Sequence, residues 1–116
     1  MATEFDVHTS LPADDTALVP VVVHITGEID IHHAGELENL IMAALADPKS
    51  STEIIVDLSN SSFCDSSGLN ALLRAREAAR RSGRSLSLAA PSHQMLRLLD
   101  LTGTAVLFPV RSAVAG

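Results

Sequence analysis

The chain has no tryptophan and no tyrosine, and its only aromatic side chains beyond five histidines are three phenylalanines. Platforms for stacking nucleic-acid bases are therefore missing. Cations are scarce as well: eight lysines and arginines face fourteen acids, a net charge of −6. Since neutralising phosphates supplies most of the affinity for nucleic acid, that balance excludes a nucleic-acid binder. It suits instead a protein partner with a basic face, which charge would steer toward the acidic surface. The single Cys64 allows no internal disulfide and fits a reducing compartment. No apolar run approaches the roughly 18 residues needed to cross a bilayer. The opening MATEFDVH lacks the basic-then-apolar order of a secretion signal, so a cytoplasmic location with no membrane partner is expected. Low-complexity segments and internal repeats are also lacking.

What is present suffices for one domain spanning 1–116, with a core over roughly 5–110 and a frayed C-terminal tail. The hydrophobic fraction of 47% is that of a globular protein. Glu4–His8 alternates polar and apolar residues, as a half-exposed strand does. Ser10–Thr16, with Pro12, Asp14 and Asp15, predicts a hairpin turn, and Leu18–Thr26 the next strand, with Pro20 at an edge or outside the ladder. Leu37, Leu40, Ile41, Ala44 and Leu45 then fall on one helical stripe that Asp47-Pro48 ends. Ile54–Leu58 predicts a buried strand, and Ser59–Ser62 a turn. A helix over Ser67–Arg81 follows, with Leu69, Leu72 and Leu73 on its buried face and Gly83 just past its end. Ser85–Ala89 predicts a strand, and Ser92 caps a helix that buries Met95, Leu98 and Leu99 and stops at Thr102-Gly103. Val106–Phe108 predicts a last strand. The alternation makes the fold class α/β: a single-layer mixed, partly parallel β-sheet with crossover helices and an antiparallel edge.

Enzymatic chemistry finds no support. Ser66 and Ser67 lack the G-x-S-x-G elbow, and none of the histidines stands in a base motif. Cys64 has no partner motif and is expected as a small packed residue at the corner between strand and helix. His32-His33, beside Asp30 and Glu36, cannot share one helix face, and no further ligands complete a metal set. There is no Gly-rich phosphate loop, so neither a nucleotide nor another cofactor is implied. The arginines at 74, 76, 80, 81 and 84 are expected on a solvated helix face. The segment Asp65-Ser66-Ser67-Gly68 stands out, because it delivers two hydroxyls to an electropositive helix N-terminus.

Three blocks then occur in a familiar order: Gly27-Glu28-Ile29-Asp30 after a strand, Asp65-Ser66-Ser67-Gly68-Leu69 after the central strand, and Leu98–Gly103 near the C-terminus. Together they resemble the STAS domain of the anti-sigma factor antagonists, over nearly the whole chain. The resemblance implies a switch that is not an enzyme. Unphosphorylated, such a protein binds an anti-sigma factor serine/threonine kinase and frees a sigma factor; phosphorylation ends the binding, and a serine phosphatase restores it. It also implies Ser66 as the phosphate acceptor, with Ser67 as its neighbour, Asp65 capping the helix and shaping the acceptor loop, and Glu28, Asp30 and Gly68 completing the partner face. Ile29 and Cys64 are mild departures from the family pattern. The same resemblance extends to STAS subunits of lipid-transporter or stress-sensing complexes, which act without a phosphorylated serine.

Overall fold

A computed structural model describes residues 5–10, 20–47 and 53–113. The hairpin turn expected at Ser10–Thr16 falls almost wholly outside them. The described elements are strands β1 (Asp6–Ser10), β2 (Val21–Thr26), β3 (Glu53–Asn60), β4 (Ser85–Ala89) and β5 (Val110–Arg111) and helices α1 (Ala34–Ala46), α2 (Ser66–Arg81) and α3 (His93–Leu101). The strands form one sheet in the order β1-β2-β3-β4-β5. β1 runs antiparallel to β2, while β2, β3, β4 and β5 are parallel to one another. The expected α/β class, with a mixed sheet and crossover helices, is the one observed. Pro20 lies just outside the β2 ladder, where its missing N–H does no harm.

Strand alternation decides which side chains meet the helices. Val23 and Ile25 of β2, Ile54, Val56 and Leu58 of β3, and Leu86 and Leu88 of β4 form one cluster with Leu37 and Ile41 of α1, Leu69 and Leu72 of α2, and Met95 and Leu99 of α3. Ala71, Ala75 and Ala79 recur every fourth residue on α2 and are fully buried, so that helix packs closely. The alternate residues Val22, His24, Ile55, Asp57 and Ser87 occupy the opposite face. There His24 Nδ1 donates to Asp57 Oδ2 across 2.8 Å, and the His8 and His24 rings stack with centroids 5.1 Å apart. His24 is thus a partner of Asp57 within the sheet.

Several boundaries differ from the sequence expectation. β1 lies two residues further on than expected. β3 runs on to Asn60, because Ser59 and Asn60 continue the ladder before the chain turns with Ser61 N–H donating to Leu58 O. Ser66, not Ser67, begins α2. The expected strand at Val106–Phe108 is instead a short 3-10 turn over Ala105–Leu107. Val106 is 90% exposed there while Phe108 enters the core, and pairing resumes only after Pro109. Arg111 is accordingly a strand residue and not part of a frayed tail, and it is paired with Glu53. In α1 only Ala34, Leu37 and Ile41 are fully buried; Leu40 and Leu45 are half-buried against the core. The apolar stripe is wider than the surface it covers.

The arginine series is also more than a solvated face. Arg74 pairs with Glu38 at 2.7 Å, joining α2 to α1, and Arg80 and Arg81 both pair with Glu77. Those two pairs hold the Glu77 carboxyl down to about 2. Arg76 donates to Leu107 O, and Arg84 donates to Leu45 O and Asp47 O, so both tie separate elements together. Gly83 takes a φ of +71°, the left-handed cap expected past α2.

Candidate functional site

Parallel strands end at the same sheet edge, and the loops leaving β2 and β3 meet there. Ile29 N–H donates to Phe63 O at 2.9 Å, Asp65 N–H donates to Ile29 O at 3.1 Å, and Ile29 and Cys64 form an isolated parallel bridge. This backbone strap joins the Glu28–Asp30 segment to the Asp65–Gly68 segment. The residues expected to form one partner face, Glu28, Asp30, Asp65, Ser66, Ser67 and Gly68, are therefore neighbours.

Gly68 makes the close approach feasible. A Cβ at that position would lie 2.6 Å from Ile29 O, 2.7 Å from Ile29 Cγ2 and 2.8 Å from Cys64 Sγ. Only a residue without a side chain lets the first turn of α2 sit against the strap. Asp65 is the N-cap, with its Oδ1 accepting from Gly68 N–H at 3.1 Å. Ser66 opens the helix and is exposed, while Ser67 is half-buried. The first amides of a helix have no partner within it, so an anion on Ser66 would meet the positive end of the dipole.

Cys64 is buried, and that burial, with the charge of Asp65 adding to it, pushes its thiol up to about 12. No reactive thiolate forms at neutral pH. The packing role expected of Cys64 is the one seen.

Asp30 has structural duties. Its Oδ1 accepts from His32 N–H at 3.0 Å and lies 2.9 Å from His33 Nδ1, while its carbonyl receives the N–H groups of His33 and Ala34. His33 Nδ1 also donates to Glu28 O at 3.0 Å, and the His33 ring stacks on Phe5 with centroids 4.2 Å apart. The two histidines are thus more than a surface pair, for His33 organises the entry to α1. Glu28 itself is exposed.

Three features of the site were missed in the sequence. Ile31 and Phe63 flank the strap and remain exposed, at 71% and 40%. Gln94 of α3 pairs with both backbone groups of Cys64, its Oε1 accepting from Cys64 N–H at 2.9 Å and its Nε2 donating to Cys64 O at 2.7 Å. The exposed apolar pair beside a polar loop was a signal in the sequence. The glutamine left none, because its partner lies thirty residues away.

With this geometry in view, comparison with known proteins is decisive. The STAS model described as "Mlab, STAS domain" matches residues 13–109. This chain belongs to the STAS domain family. It is similar to the anti-sigma-B factor antagonist of Bacillus subtilis, with 32% identity over 72% of this chain and 73% of that protein. The anti-sigma F factor antagonist of Paenibacillus polymyxa is 27% identical over 78% of this chain and 76% of its own length. An anti-sigma factor antagonist from Mycobacterium paratuberculosis superposes with a TM-score of 0.79 at 27% identity, covering 96% of this chain and 88% of that one. Among the described residues, no helix of the STAS domain is long and apolar enough to cross a membrane.

Proposed function

We propose that this STAS domain is an anti-sigma factor antagonist acting in the cytoplasm as a protein-binding switch, not as an enzyme. Unphosphorylated, it docks on an anti-sigma factor that is a serine kinase, and a sigma factor is released. Phosphorylation of Ser66 by that kinase ends the docking, and a serine phosphatase restores it. The reading draws on the names of the relatives, and one observation carries it to Ser66. Ser66 is an exposed residue at the start of α2, on a capped turn strapped to the Asp30 loop. A kinase can reach it, and a partner seated on the joined loops would cover it. Ile31 and Phe63 supply apolar contact beside it, and Glu28, Asp30 and Asp65 an acidic surround that favours a basic partner.

Incubation with the candidate kinase and ATP, followed by mass spectrometry, tests the assignment. Phosphate on Ser66, and its loss in Ser66→Ala, is expected. Phosphate elsewhere, or none, would favour the STAS-subunit reading, in which the protein binds a transporter or stress-sensing assembly without modification.

A further inference from the structure

We propose that Gln94 is a positioning residue for Ser66: its side-chain amide clamps the backbone of Cys64 and so fixes how the Asp65-Ser66 turn is presented. The inference rests on the reading of Ser66 as the phosphate acceptor.

Cys64 sits between the strap and the cap. Its neighbour Phe63 receives the Ile29 N–H, and its other neighbour Asp65 donates to Ile29 O. Those two bonds fix the flanking residues and leave the N–H and C=O of Cys64 itself to find partners in a site that is 98% shielded from solvent, since Cys64 is 2% exposed. Unpaired backbone groups in such a place are costly. Gln94 satisfies both at once with its amide, an acceptor and a donor on one planar group. Among the described residues, the Gln94 amide supplies the hydrogen bonds that link the third helix to the acceptor turn. Ser92 caps α3 with its hydroxyl accepting from Met95 N–H, and Met95 and Leu99 anchor the helix in the core. Gln94 therefore projects from a fixed support. From there the path to the hydroxyl is short: Cys64, Asp65 as cap, Ser66 as first helical residue.

The chemistry of the amide supplies a test that a merely structural role would not pass. In Gln94→Glu the ionised carboxylate still accepts from Cys64 N–H but presents an oxygen to Cys64 O, where repulsion replaces a bond. Once protonated, the carboxyl donates there and both bonds return. The variant should thus regain the clamp as pH falls through its carboxyl titration, which the opposing carbonyl shifts upward from about 4.3. Gln94→Met, of similar volume with neither bond, should show no such recovery. Asp65, next to Cys64, and His93 and Arg97, on the helix that carries Gln94, are present in every variant and in the parent.

Amide hydrogen exchange of the Cys64–Gly68 segment, compared with the parent at each pH, reads the clamp without any partner. We expect protection to fall about tenfold or more in both variants at pH 7, and to return at low pH in Gln94→Glu alone. Phosphorylation of the full chain by the kinase reads the consequence. The turnover should drop on the order of tenfold at pH 7 with little change in KM, because misplacing a reacting group costs rate more than binding. Unchanged exchange in Gln94→Met, or variants whose kcat matches the parent, would overturn the proposal. Phosphate on a residue other than Ser66 in the parent would overturn the Ser66 reading instead, and the exchange rates would still decide the clamp.

Discussion

The helix-covered face of the sheet and the corner where β3 turns into α2 are held by different contacts. On the face, Val23, Val56, Leu72 and Leu88 are fully buried, and no polar group is needed to hold them. At the corner, Ile29, Leu58, Cys64 and Leu69 also join the core, but the turn itself is held by backbone bonds, one aspartate cap and one glutamine. The face resists change because burial is spread over many residues. The corner is specified by a few directional contacts, and the hydroxyl of the exposed Ser66 accounts for none of the hydrogen bonds described there. Fold stability and presentation of Ser66 are therefore separable, and substitutions should expose that separation in graded steps.

The largest effect belongs to the face. Leu72→Ala should lower stability by about 2–5 kcal/mol, as truncation of a fully buried leucine does. Leu40→Ala, on the half-buried flank of α1, should lose clearly less in the same urea titration. Equal losses would mean that the exposure of Leu40 plays no part.

At the corner, Gly68→Ala must push a methyl group against Ile29 O, a backbone atom that cannot swing away. Overpacking of this kind costs about 1–3 kcal/mol. It should also pry the two loops apart, so partner affinity should fall further than stability alone explains. An alanine variant with parent-like melting and binding would show that the strap is slack.

Asp30→Ala removes acceptors from His32 N–H and His33 Nδ1. By analogy with lost helix caps, about 0.5–2 kcal/mol of stability should go with them. Binding should weaken beyond that, a comparison that calorimetry and affinity measurement on one preparation would make.

The pH dependence of stability probes the face opposite the helices. Burial pushes the Asp57 carboxyl up, but the hydroxyl and N–H of Ser59 and the contact with His24 outweigh it and leave the group below its ordinary value. A carboxylate whose folded value is depressed stabilises above the unfolded value, near pH 4, and loses that contribution as pH falls through the folded value. Acid unfolding curves should therefore shift less with pH below 4 in Asp57→Asn than in the parent. Parallel curves would remove Asp57 from the acid limb.

How much of this was legible in sequence follows the same division. The helix stripe of Leu69 and Leu72, the caps at Asp65 and Ser92 and the glycine after α2 are local patterns, and local patterns survive in one dimension. The buried run Ile54–Leu58 identified the central strand for the same reason. What escaped was tertiary. Val106–Phe108 has a strand's composition, yet the chain turns there to bury Phe108 and part of Leu107 and leaves Val106 in solvent. Arg76 and Arg84 looked like surface charge because their carbonyl acceptors at Leu107, Leu45 and Asp47 are distant in sequence. Gln94 was silent on the same ground. At the site, the residues themselves were readable from three ordered motifs, but the strap that unites them and the double duty of Asp30 required the fold.

The smallest effect on folding should accompany the largest effect on binding, at Ser66. Ser66→Ala should alter stability by no more than about 0.5 kcal/mol. Phosphorylation adds about −1.5 to −2 charges, which the start of α2 favours by about 0.3–1 kcal/mol. A partner whose surface fits the neutral hydroxyl must desolvate the added dianion, which costs several kcal/mol even where basic groups lie nearby, and every 1.4 is tenfold in affinity. The most direct measurement is the dissociation constant for the anti-sigma factor kinase before and after stoichiometric phosphorylation of Ser66, with circular dichroism recorded on the same samples. We predict an unchanged fold and binding weakened about a hundredfold or more, with Ser66→Ala as tight as the unmodified protein. Equal affinity of the two forms, or loss of folding on phosphorylation, would contradict the account.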